Sequence, residues 1–130
     1  MRAIIIAIAA IAIITGCTYE SYNQREIVGQ WYSESWTSDG TETGYRSWMA
    51  FDQDSTYRAI FNTNREMGTY WIDGYKLYTQ ARGAEAIVVK IASLEENKMV
   101  LEMNRAGSAE EITFGRGTVN KINDPIIEDE

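Results

Sequence analysis

The 130-residue chain has no histidine, one cysteine and one proline, and its 19 acidic residues outnumber its 12 basic ones. Each shortage removes a class of chemistry. Without histidine, with the lone thiol at Cys17 given another role below, the Ser-His and Cys-His nucleophile pairs and the zinc–histidine sites cannot be assembled. A single cysteine excludes a disulfide within the chain, so the fold must rest on its own core. The formal net charge of -7 argues against nucleic acid and against a basic patch for anionic lipid. No apolar run reaches the ~20 residues a membrane-spanning helix needs, and no internal repeat or low-complexity tract is present. Paired carboxylates remain: Asp52 and Asp54 in "DQDS". A calcium loop needs further acidic ligands, a central glycine and a terminal glutamate, and "DQDSTYRAI" lacks them in register, so this stretch reads as a hairpin turn. Glu95 and Glu96 read as another turn, and the terminal "EDE" as a solubilising end. No enzyme activity, metal or cofactor is expected.

What is present begins with an address. Residues 1–16, "MRAIIIAIAAIAIITG", carry Arg2 and then an unbroken apolar segment from Ala3 to Ile14, the n-region and h-region of a secretory signal. Ile14, Thr15, Gly16 and Cys17 follow the apolar-small-small-Cys pattern and resemble the bacterial lipoprotein signal. That resemblance implies that the Cys17 thiol receives a diacylglycerol, that the signal is cut before Cys17, and that the new amino group is acylated with palmitate or a similar chain. Several acyl chains hold a protein durably, since each buried CH₂ contributes about 0.8 kcal/mol. The membrane is then a partner through the N-terminal lipid. Thr18 stands where an aspartate resembles an inner-membrane retention signal, so the expected location is the cell envelope, on the outer membrane of a diderm bacterium.

Removing 16 residues leaves 114, enough for one domain with a single core. The expected divisions are a signal peptide (1–16), a lipidated polar tether (17–26), an all-β body (27–122) and an acidic tail (123–130). Within the body, "IVGQWYSESW" (27–36), "YRSWMAF" (45–51) and "STYRAIF" (55–61) alternate in polarity and are rich in aromatics. "MGTYWIDGYKLYTQ" (67–80) is a hairpin turning at Asp73-Gly74. "AEAIVVKIASL" (84–94), "MVLEMN" (99–104) and "EITFGRGTVNKI" (111–122) complete about eight strands with short connections. Sequential pairing is the simplest topology, and closure into an antiparallel up-and-down barrel would remove exposed edges. An open sandwich is the competing arrangement.

"GQW" (29–31), "FDQDSTY" (51–57), "GTYWIDGYKL" (68–77) and "EITFGR" (111–116) together resemble the small lipocalin-like domains of bacterial lipoproteins, whose order is G-x-W, an aromatic strand, G-x-Y-x-I-x-G-x-x-L and an aromatic-x-Arg. The chain departs from the larger lipocalins in lacking their disulfides and an obvious C-terminal packing helix. The resemblance implies that Trp31 plugs the closed end of the barrel and that Arg116 lies across its indole, a structural pair. By parity and family pattern, the interior is expected to take Phe51, Tyr57, Phe61, Tyr70, Ile72, Leu77, Val89, Ile91, Leu101, Met103, Ile112 and Phe114, while Trp36, Trp48 and Trp71 face outward. An eight-stranded barrel is either filled by side chains or holds one small ligand. The implied function is binding of a small apolar or amphipathic molecule by Tyr57, Phe61, Tyr70, Ile72, Leu101 and Met103, oriented by the tyrosine hydroxyls. The alternative is a filled barrel whose loops or outer aromatics bind an envelope or secreted protein of unknown identity. The polar "TSDGTETG" (37–44) would be either a lid at the open end or a mobile hairpin tip.

Overall fold

In the computed structural model, which describes residues 20–117, the alternating segments form nine strands of one antiparallel sheet. They are β1 (Gly29–Ser38), β2 (Thr41–Glu42), β3 (Ser47–Phe51), β4 (Thr56–Phe61), β5 (Asn64–Asp73), β6 (Lys76–Ala81), β7 (Ile87–Glu95), β8 (Lys98–Arg105) and β9 (Ser108–Arg116). From β3 onward each strand pairs with its successor. β1 pairs with β3 on one side and, from Trp31↔Arg116 to Ser38↔Glu110, with β9 on the other. This last ladder closes the sheet into an eight-stranded up-and-down barrel, and β2 is a short extra piece along β1. Closure removes the unpaired edges that an open sandwich would have to manage. The signal, Cys17 and the tail lie outside the described residues.

The interior follows the period-two rule of strands. All twelve residues expected inside belong to one apolar cluster: Phe51, Tyr57, Tyr70, Leu77, Ile91, Leu101, Ile112 and Phe114 are buried, and Phe61, Ile72, Val89 and Met103 pack against them while partly exposed. One of the three tryptophans expected outside departs from expectation. Trp36 is buried inside, because the β1–β9 register shifts between Ser33 and Ser35. A bulge inserts one residue and inverts parity beyond it, so Trp31 and Trp36, five apart, share a face. Trp48 does face outward but is buried there, with Ala50, Ile60 and Tyr32, and the Arg58 guanidinium 5.5 Å from its ring. Only Trp71 is both outward and exposed. Gly68, the first residue of the G-x-Y motif, is needed for close approach: a Cβ there would run into the Gln80 carbonyl of β6.

The closed end is sealed by the chain's own entry segment. Asn23 caps a single 3-10 turn, Gln24–Ile27, its Oδ1 accepting from Arg25 N–H at 3.0 Å while Glu26 reaches back to Asn23 N–H at 3.2 Å. Residues 22–27 therefore do not hang free, as a tether would. Tyr22 N–H donates to the Gly74 carbonyl at 2.9 Å, and Gln24 Nε2 to Ser55 Oγ at 2.8 Å, tying the segment to two turns of the barrel. Above it Trp31 is fully buried and donates its indole N–H to Ile27 O at 2.9 Å. Arg116 lies 4.1 Å from the Trp31 ring centroid and donates to Val28 O at 2.7 Å, Glu26 O at 3.0 Å and Glu96 O. One guanidinium thus joins the plug, the entry segment and the β7–β8 turn. Burial pulls its pKa below the ordinary value, with Glu96 pulling back, and an arginine stays charged throughout.

Replacing Arg116 by alanine removes the cation–π contact and leaves three carbonyls to find other partners. The expected loss is about 2–4 kcal/mol of unfolding free energy, together with a shift of tryptophan emission. Urea denaturation followed by fluorescence measures both, and an unchanged midpoint and spectrum would show that Arg116 does not hold the plug.

Candidate functional site

The opposite end of the barrel is ringed by the turns after β1, β4, β6 and β8. The first is fastened down. Asp39 and Gly40 occupy a two-residue loop with φ of 50° and 84°, the positive-φ pair that matches a hairpin's twist. Asp39 exchanges bonds with Ala109: its N–H donates to Ala109 O at 2.8 Å, and its Oδ1 accepts from Ala109 N–H at 3.0 Å. The Glu42 carboxylate takes Ser35 Oγ and Trp36 N–H, at 3.0 and 3.1 Å; these donors hold its pKa below the usual range. Residues 37–44 are therefore a hairpin bonded to its neighbours.

Inside this rim three aromatic rings meet edge to face. Tyr45 stands 5.3 Å from Trp36, and Trp36 stands 6.3 Å from Phe61. Phe61, Val89 and Met103 point inward yet stay partly exposed, because the mouth above them is open. Polar groups lie among these apolar ones. Glu110, 6% exposed, accepts from Trp36 Nε1 at 3.0 Å and from Arg105 at 3.2 Å. Glu66 shares the inner face with Ala59, its register partner, and accepts the Tyr57 hydroxyl at 2.7 Å. Burial first, then that bond and the charge of Glu66, push the Tyr57 phenol well above its ordinary pKa.

The six residues expected to bind a ligand share one interior, but they divide by depth. Phe61 and Met103 serve the mouth half, while Tyr57 packs its ring on Phe51 in the lower part and sends only its hydroxyl up to Glu66. Leu101 is buried in the packed middle. Tyr70 and Ile72 lie toward the closed end, where Tyr70 donates its hydroxyl to Asp52 O at 2.8 Å and packs edge-on against Phe51 at 4.8 Å. A hydroxyl committed to a backbone carbonyl at the base is not placed to orient a ligand at the mouth, so Tyr70 belongs to the core; Ile72, partly buried, packs against the core at the same end. Trp36, Glu66 and Glu110 were missed. Two of them were visible in principle: Glu66 has the parity of Gly68, Tyr70 and Ile72, and Glu110 that of Ile112 and Phe114. Trp36 was hidden by the bulge.

Two features lie outside the barrel. A concavity of about 820 Å³ is lined by the outward residues Thr37, Lys76, Val88, Lys90, Glu102 and Glu111 and reaches the rim at Val89, Met103 and Glu110. Five of these form one cross-strand row, Thr37–Glu111–Glu102–Lys90–Lys76, and alternate with core residues, so most of this concavity is an outer groove of mixed charge that meets the mouth at its edge. Beside it Trp71 and Tyr78 stack with ring centroids 5.1 Å apart, next to exposed Val88. At the Asp52–Ser55 turn, Asp54 accepts from Thr56 Oγ1 at 2.6 Å and from its N–H at 3.1 Å, a local turn contact.

A closed antiparallel barrel with a plugged floor and an open mouth is the architecture of small-ligand binders. The comparison with known families agrees: residues 27–101, more than half of the chain, match the lipocalin-like domain family, and the chain belongs to that family. The match ends before β9, so the Trp31–Arg116 pairing rests on the geometry given above. No curated protein matches the chain. The family is a binding fold, typically without enzymatic activity, and its barrel is compatible with a small hydrophobic ligand.

The raised phenol of Tyr57 has a pH consequence. A folded pKa above the unfolded one means that the native state keeps its proton longer, so the stability linked to it is intact below pH 10.0 and is lost as pH rises beyond that value. Tyr70, also raised, acts in the same direction. The Tyr57→Phe variant is therefore expected to lose stability less steeply above pH 10 than the parent, as read by thermal melts across that range; equal slopes would show that Tyr57 does not titrate late.

Proposed function

We propose that this protein is a lipid-anchored envelope lipocalin-like protein that binds a small apolar or amphipathic molecule in the mouth half of its barrel. The observation that carries the reading is the set of inward-facing, partly exposed side chains Phe61, Val89 and Met103 around buried Trp36. Below them Phe51, Tyr57, Tyr70 and Phe114 are nearly inaccessible and fill the floor. A ligand would therefore sit shallowly. Its body packs on Phe61 and Met103, and part of it meets the rim. Met103 suits such a role because an unbranched thioether adapts to different shapes.

The anchoring part of the proposal rests on "IITGC" (13–17). The entry of the chain supports a geometry for it. Tyr22 is bonded at the closed end, and the five residues from Cys17 reach at most about 18 Å when extended. A lipid on Cys17 then keeps the plugged floor toward the bilayer and turns the mouth away from it. An outer-membrane position follows from Thr18 as proposed above.

Another reading has one observation in its favour. Trp71, Tyr78, Val88 and Met67 place an apolar patch on the outer face of β5–β7, with Trp71 38%, Met67 43% and Val88 48% exposed. Such a patch fits a protein-binding module.

Two measurements separate these claims. Native mass spectrometry of the purified chain is expected to show a hydrophobe bound to the parent and lost from Met103→Trp, whose larger side chain fills the mouth; Trp71→Asn should keep it. Failure of the parent to hold any member of a lipid and fluorophore panel would remove the cup and leave the outer patch. For the anchor, labelled palmitate fed to cells is expected to appear in the parent and not in Cys17→Ala, and the variant should leave the detergent phase on partitioning. Equal labelling would overturn lipidation at Cys17.

A further inference from the structure

Resting on the mouth-half cup proposed above, we infer that the cup selects amphiphiles with a primary ammonium head group. Two carboxylates face into this apolar opening. Glu110 already has the Trp36 indole and Arg105 as donors. Glu66 accepts the Tyr57 hydroxyl, and an ionised carboxylate offers about four acceptor positions. Arg105, whose side chain is 57% exposed at the rim, is paired with Glu110 at 3.2 Å.

An independent observation points to a guest. The Ser47 hydroxyl is 5% exposed and has no hydrogen-bond partner among the described residues. Its side chain is on the inner face, since Trp48 next to it faces outward and Met49 inward. Ser47 pairs across the sheet with Phe61, and Phe61 contacts Trp36, the donor to Glu110. On the other side of Phe61 stands Asn64 of β5, and Glu66, paired with Ala59, is the next residue of the same parity along that strand. The unpaired hydroxyl and the carboxylates therefore border the same apolar ring. A buried hydroxyl without a partner is unfavourable, and a group entering the mouth can relieve it. A primary ammonium has three donors: it can give one to Glu66 and one to Ser47 Oγ while its alkyl chain lies on Phe61 and Met103. A quaternary ammonium has the charge without the donors. A carboxylate head group meets two like charges in a poorly solvated opening, which opposes binding.

The test uses the full chain in a nonionic detergent, where partitioning into micelles is common to every variant, and reads tryptophan quenching by decylammonium, decyltrimethylammonium, decanoate and decanol. Decylammonium is expected to bind at least about tenfold more tightly than decanoate, a difference of about 1.4 kcal/mol. Glu66→Gln, which retains an acceptor for Tyr57, should remove most of that preference and leave decanol within about twofold. Ser47→Ala should weaken decylammonium and not the quaternary ligand, with a melting temperature equal to or above that of the parent, because the substitution removes an unpaired buried group. Decanoate binding as tightly as decylammonium, or a preference that survives Glu66→Gln, overturns the inference while leaving a cup. No binding of any of the four, decanol included, overturns the cup as well.

Discussion

The Arg116 guanidinium over the Trp31 indole is the contact on which the rest of this barrel depends. It joins the first strand to the last at the point where the sheet closes, since Trp31 and Arg116 are also register partners. The same head group holds the entry segment and the β7–β8 turn through three carbonyls. A barrel with no disulfide has no covalent device to fix its closure. Here one planar donor, with several N–H groups in a rigid fork, takes that part. Gly29 makes room for it: a Cβ there would meet the Arg116 guanidinium, and its φ of 133° disfavours any side chain.

Closing a small barrel creates a conflict between packing and vacancy. An eight-stranded tube is just wide enough for side chains to fill it, and this chain fills the lower part with Trp31, Phe51, Tyr57, Tyr70 and Phe114. The tyrosines are admitted because each hydroxyl finds an acceptor, Asp52 O for one and Glu66 for the other. What is left for function is the part where inward residues stop being fully buried. The boundary between core and site is therefore gradual along the barrel axis, and Tyr57 belongs to both: its ring packs 6.3 Å from Phe51 while its hydroxyl reaches the mouth carboxylate.

This gradation explains what could be read from the sequence. Strand number, order and the inner face were legible because alternation in "TYRAIF" or "EITF" translates directly into burial. The plug was legible from "GQW" and "FGR" through family resemblance. Depth was not. Nothing in "GTYWID" says that Tyr70 turns its hydroxyl to the floor; that follows from the turn at Asp52, which strand pairing brings beneath it. Parity also failed locally. A single inserted residue between Ser33 and Ser35 sent Trp36 inward, and no composition signal marks a bulge. The mouth carboxylates had the right parity, but parity alone does not single them out, because glutamates on strands usually face water.

A glutamate on the inner face of a barrel is unfavourable unless something holds its charge, and both mouth carboxylates are held by donors that are themselves core residues: Tyr57 for Glu66, Trp36 for Glu110. If apolar packing alone had shaped this end of the barrel, Phe and Leu in those four places would satisfy it with no hydrogen bonds to arrange. Paired donors and acceptors around an open apolar ring instead fix two negative charges at defined positions. Fixed charge in a poorly solvated opening discriminates between head groups far better than it stabilises a fold, and the unpaired Ser47 hydroxyl beside them adds nothing to stability at all. The polar groups at this end are therefore the ones that the proposed ligand would meet, just as those at the other end secure the closure.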